Sequence, residues 1–127
     1  MIKRYSRPEL IKVWSQQEKY KIWFEIEAYA CEAMESISLI PKGTTKNVLK
    51  ASGIDYDIAE IDAIEKITKH DVIAFLTYLS KFVGESSRFV HQGLTSSDVL
   101  DTCFNIQLVN ASTVSYTHLT LPTNLSV

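Results

Sequence analysis

No stretch of this chain is long and apolar enough to span a bilayer, which removes membrane-embedded functions from consideration. Cysteine occurs only as Cys31 and Cys103, without metal-ligand spacing and without the makings of a disulfide framework. Both read as small core residues of a reduced, cytoplasmic protein. Lys and Arg total 13 against 15 Asp and Glu, and the basic residues form no cluster, so no nucleic-acid partner is indicated. The basic start Met1–Pro8 is followed by no apolar run and is not a secretory signal. There is also no G-x-x-x-x-G-K-[ST], no G-x-G-x-x-G, no H-E-x-x-H and no nucleophile elbow. Nucleoside-triphosphate, dinucleotide and zinc-hydrolase chemistry therefore lack support.

What is present is helical periodicity over nearly the whole length, and the reading is all-α. Ser6-Arg7-Pro8-Glu9 has the S-x-x-E form of a capping box with Pro in the first turn, predicting a short helix to about Trp14. Ser15-Gln16-Gln17-Glu18 repeats the device. Beyond it Tyr20, Trp23, Phe24, Glu27, Cys31 and Met34 follow helical spacing, widened by Ile22, Ile26, Tyr29 and Ala33. So broad an apolar face asks for neighbours on more than one side. A short helix over Thr45–Ala51, closed by Gly53, comes next, and Asp57 caps another whose buried stripe is Ile58, Ile61, Ile64 and Thr68. After a break at Thr68-Lys69-His70-Asp71, a helix carrying Val72, Ile73, Phe75, Leu76, Leu79, Phe82 and Val83 stops at Gly84. The last helical face reads Leu100, Cys103, Phe104, Gln107, Leu108 and Ala111.

Three polar clusters flank helix ends and belong to no apolar stripe: Arg4-Tyr5, Lys69-His70-Asp71, and His91 with Thr95-Ser96. Thr95 has N-cap chemistry, and Asp98 stands where an acid reaches back to the cap. Free N–H groups and clustered hydroxyls at a helix start suit a carboxylate or phosphate. Each cluster also has a plainer reading: a surface arm, a helix-initiating pair, a turn histidine packed on backbone, a well-capped helix. Together they offer cations, hydroxyls and helix N-termini fitted to a polyanionic small molecule, and a histidine beside a carboxylate suits proton transfer near neutral pH.

Arg4-Tyr5-Ser6-Arg7-Pro8-Glu9, Trp23-Phe24-Glu25-Ile26-Glu27-Ala28, Thr68-Lys69-His70-Asp71-Val72-Ile73-Ala74-Phe75 and Val90–Thr102 resemble, in order and spacing, the opening of the bacterial adenylosuccinate lyases. T-S-S-D alone marks the wider fumarase/aspartase superfamily, and the combination points to the narrower family. The resemblance implies an N-terminal helical domain of the fumarase/aspartase-type fold at 1–84 and the start of the central helical-bundle domain at 85–113. It implies β-elimination of fumarate from adenylosuccinate, giving AMP, and from the succinyl-carboxamide ribotide of purine synthesis. No metal or organic cofactor is implied, and the parent would be a cytoplasmic homotetramer. By position, Arg4 and Tyr5 would hold the nucleotide part. Lys69, His70 and Asp71 would contact substrate, with His70 catalytic beside the succinyl group. Thr95 and Ser96 would receive a substrate carboxylate, with His91 in support. Alternatives are another lyase or cycloisomerase of the superfamily, such as the carboxymuconate cycloisomerases, and a non-catalytic helical interaction module.

The family's T-H-G segment with its general-acid histidine and its S-S-x-M-P-x-K-x-N loop are absent from this sequence. The chain alone is therefore expected to be inactive and poorly folded, its broad apolar faces lacking partners. Residues 114–127, VSYTHLTLPTNLSV, contain no Asp, Glu, Lys or Arg, and Pro122 should end any helix there. The string resembles the translation of a transposon-end adapter used in preparing sequencing libraries, so the genuine coding sequence is expected to end near Thr113.

Overall fold

The computed structural model describes the backbone of residues 2–125, with side chains other than those of Lys3, His118 and residues 120–125. Among the described residues there are helices and turns and no strand: α1 (Pro8–Val13), α2 (Gln16–Ser36), α3 (Thr44–Val48), α4 (Ile58–Thr68), α5 (Asp71–Val83) and α6 (Ser96–Leu125). Short 3-10 turns occupy Lys3–Tyr5, Leu49–Ala51 and Gly84–Phe89.

Local chemistry sets most boundaries. Ser15 caps α2 by accepting from the Glu18 N–H at 3.2 Å, and Asp57 caps α4 by accepting from the Glu60 N–H at 3.0 Å. The capping box expected at Ser6 does not form. Pro8 takes the first helical position, so Arg7 becomes the N-cap, and Ser6 Oγ donates instead to the Ile2 carbonyl at 3.0 Å. The third helix starts at Thr44 because Gly43, at φ +91°, turns the chain, and Glu35 reaches across from α2. One Glu35 oxygen accepts from the Gly43 N–H and the other from the Thr45 N–H, both at 2.8 Å.

Helices α4 and α5 form an antiparallel hairpin across the two-residue link Lys69-His70, with Lys81 near the end of α5 paired to Glu60 near the start of α4. Its apolar side meets α2 in an aromatic cluster. Phe75 stacks on Tyr20 at 5.5 Å and meets the edge of Trp23 at 5.5 Å, with Tyr56 at 5.9 Å. Cys31, Val48, Ile61, Val72, Leu79, Val99 and Cys103 complete the core, which thus runs from α2 into α6. Burying each large side chain there contributes roughly 1.5–3 kcal/mol.

Several expected faces shift. Tyr29, Ile73 and Phe82 are exposed, while Ala74 and Tyr78 are buried, because the hairpin meets α2 along one line rather than around its circumference. On α6 the inward row is Val99, Cys103 and Gln107, spaced by four. Phe104 and Leu108 look outward, since α2 and α1 are the main neighbours of this helix among the described residues. Nor does α6 break at Val114 or at Pro122; it continues to Leu125. No glycine interrupts it, and α1 lies alongside, with Arg7 and Leu10 lining a small cleft with Val114, Ser115 and Leu119. Pro122 falls in the closing turns, where few downstream hydrogen bonds depend on it.

Candidate active site

Two of the three polar clusters meet in space. His70 is the N-cap of α5, and its Nδ1 accepts the Ile73 N–H at 3.3 Å. A ring nitrogen that accepts carries no proton, so the network assigns the proton of neutral His70 to Nε2. That nitrogen lies 3.1 Å from Ser96 Oγ, in the first turn of α6. The starts of α5 and α6 therefore adjoin through a histidine and a hydroxyl, and both helix N-termini favour negative charge nearby.

Thr95 sits one residue upstream as the α6 cap. Its backbone N–H donates to Asp98 Oδ2 at 2.7 Å and its hydroxyl donates to the same oxygen at 3.0 Å. These bonds, the backbone one first, hold the Asp98 carboxyl below the usual aspartate range. A lowered pKa means the grip is intact above that usual range and fails as pH falls through the lowered value. The reach-back expected of Asp98 is thus present, and Thr95 Oγ serves it rather than the helix N–H groups.

His91 has a partner that spacing along the chain did not reveal. Its Nδ1 lies 2.5 Å from Oε1 of Glu27, a residue with no exposed surface at all. Burial drives the Glu27 carboxyl above its ordinary pKa, and His91 opposes that shift. Glu27 falls at an apolar position of the α2 repeat, so its place was legible but its partner, 64 residues away, was not.

Asp71 is half-exposed, with Oδ1 taking the Val72 N–H at 2.7 Å and standing 3.6 Å from His70 Nδ1. Lys69 closes α4 in the left-handed region at φ +54°, exposed, beside Asp62, Glu65 and Lys66. Arg4 and Tyr5 stand apart. The guanidinium lies 4.7 Å above the exposed Tyr5 ring, and neither residue bonds to the His70–Ser96 pair. The reason is architectural: α1 docks on α6 near Val114, about 27 Å along the helix from Ser96 at about 1.5 Å per residue. Among the described residues no group of His, Cys, Asp and Glu is arranged to hold a metal ion. Both cysteines are buried, and burial holds Cys31 up to about 11. None of the described helices is long and apolar enough to cross a membrane.

No family model matches the chain. Curated relatives do. The chain is 41% identical over 114 residues to the adenylosuccinate lyase of Bacillus subtilis, covering 90% of the chain and 26% of that protein. It is 42% identical over 109 residues to the adenylosuccinate lyase of Synechocystis, covering 86% and 25%, and 40% identical over 114 residues to that of Thermotoga maritima, covering 90% and 26%. An all-α chain with these relatives is similar to part of a lyase, which favours a lyase relationship over a free-standing interaction module. More narrowly, its sequence belongs with the adenylosuccinate lyases, and it spans about a quarter of the length of the curated relatives it matches.

Proposed function

We propose that the chain is the N-terminal quarter of a cytoplasmic adenylosuccinate lyase subunit, and that His70, Thr95 and Ser96 form one wall of its substrate site. The reaction is β-elimination in purine nucleotide synthesis: a base removes the proton beside a carboxylate, the C–N bond breaks, an acid protonates the departing nitrogen, and fumarate leaves with AMP as the other product. The same chemistry would release fumarate from the succinyl-carboxamide ribotide. The observation that carries this reading is the 3.1 Å approach of Ser96 Oγ to His70 Nε2 at the junction of two helix starts. There the Nε2 proton, the Ser96 hydroxyl and the helix dipoles favour a carboxylate, and the dianion that forms from it in the transition state.

Lys69 and Asp71 border this wall, and His91 supports it from below. Arg4 and Tyr5 hold the nucleotide phosphate. Their remoteness from Ser96 within one copy favours a site assembled from several copies in a homotetramer. The uncovered residues Phe104, Leu108 and Val109 on α6 are placed for such contacts. On this reading residues 1–84 and 85–113 belong to successive domains of the subunit, and 114–127 are foreign to it.

The test follows fumarate release from adenylosuccinate by ultraviolet absorbance, using the 127-residue chain and the polypeptide obtained by extending its frame past Thr113. Turnover is expected from the extended polypeptide alone. Turnover by the chain itself, or none by the extended form, would overturn the proposal.

A further inference from the structure

We propose that Glu27 is a positioning residue for His91: it holds a proton on Nδ1, leaves Nε2 as the ring nitrogen that meets a ligand, and pins the turn that delivers Thr95 and Ser96. This rests on the substrate-site reading of those two residues.

Glu27 is fully buried in α2 among core residues, an expensive place for a carboxylate unless a partner compensates it. Oε1 has that partner in His91 Nδ1 at 2.5 Å, while Oε2 is buried with no hydrogen bond. Among the described residues His91 is thus the polar partner that compensates the carboxylate. A second observation lies in the backbone. His91 holds φ +65°, a conformation that side-chain-bearing residues adopt at a cost and keep only where surrounding contacts enforce it. The enforcing contacts are the Glu27 bond and the turn bond from the Leu94 N–H to the His91 carbonyl at 3.4 Å. Two residues beyond His91, Gly93 also takes positive φ, and Thr95 follows.

A third observation lies at the far end of the turn, where Asp98 binds Thr95 through both backbone and hydroxyl. Glu27 and His91 therefore anchor one end of the turn, and Asp98 and Thr95 close the other. A carboxylate at one imidazole nitrogen fixes the tautomer and ring plane presented at the other. The two site histidines should consequently differ in kind, His91 protonated at Nδ1 and His70 at Nε2.

Nitrogen NMR of the 15N-histidine-labelled polypeptide extended past Thr113, or of the chain itself once a cooperative thermal melt shows it folded, reads this directly, with His91 assigned by its disappearance in His91→Gln. The expected result is a protonated, pyrrole-type Nδ1 for His91 and an acceptor, pyridine-type Nδ1 for His70. Glu27→Leu should abolish the pyrrole-type Nδ1 signal of His91 and shift the Thr95 and Ser96 amides, leaving His70 in place. Should that variant not fold, Glu27→Gln keeps the shape and is expected to give a mixture of His91 tautomers. A His91 that is protonated only at Nε2, or that matches the chain in urea, would overturn the proposal, as would a pure Nδ1 signal unchanged in both variants. The readout needs no substrate. Failure of adenylosuccinate turnover would thus count against the lyase reading while leaving the Glu27–His91 signature standing.

Discussion

Replacing His70 by alanine in a full-length subunit is expected to lower kcat/KM by about 10²–10³-fold, the range lost with one hydrogen-bond donor aimed at a developing oxyanion. Three features of the residue concentrate its role on one atom. Nδ1 is occupied by the Ile73 N–H, so the ring cannot rotate without uncapping α5. Nε2 holds the proton, and Ser96 Oγ stands 3.1 Å from it. The side chain is 43% exposed, so a ligand can reach it. His70→Asn separates capping from chemistry, because asparagine is a good N-cap but has no titratable proton. It should restore the melting temperature lost in His70→Ala while leaving kcat/KM low. Steady-state kinetics with thermal melts of both variants would check this, and full activity in the asparagine variant would remove His70 from the reaction.

Phe75→Ala is expected to destabilise the chain by about 3–5 kcal/mol, the usual loss when a buried phenylalanine leaves a cavity. Phe75 has no exposed surface and is the hub of the aromatic cluster, touching Tyr20, Trp23 and Tyr56. Those ring contacts join α5 to α2, so the same change separates the α4–α5 hairpin from its support. Against a total stability of about 5–15 kcal/mol for ordinary domains, the loss would remove a large share and shift the urea midpoint well down. Ile73, two residues away and 43% exposed, provides the control. Ile73→Ala should cost less than about 1 kcal/mol. Urea titrations followed by tryptophan fluorescence would measure both, and equal effects would contradict the packing described.

The contrast between Phe75 and Ile73 also shows what the sequence could and could not reveal. Apolar spacing placed both on the buried side of α5, because periodicity marks the apolar arc and not the line along which a neighbour touches it. The caps at Ser15 and Asp57 were legible, being contacts within three residues. Glu35 capping α3 from the preceding helix was not, since its acceptor role depends on how the chain returns after Ile37. Ser6 misled because Pro8 fixed the helix start one residue later. For the candidate site, the residue types and their positions at helix ends were readable, while the pairing of His70 with Ser96 depends on how α5 and α6 pack. The distance of Arg4 and Tyr5 from that pair, and the Glu27 beneath His91, likewise emerge only in three dimensions.

We have proposed that these helices open a longer lyase subunit to which VSYTHLTLPTNLSV is not native. Reading the locus from intact genomic DNA tests it most directly. The expected frame departs from the present sequence near Thr113 and continues through segments bearing T-H-G and S-S-x-M-P. A genomic frame that encodes residues 114–127 as they stand and stops after Val127 would contradict it.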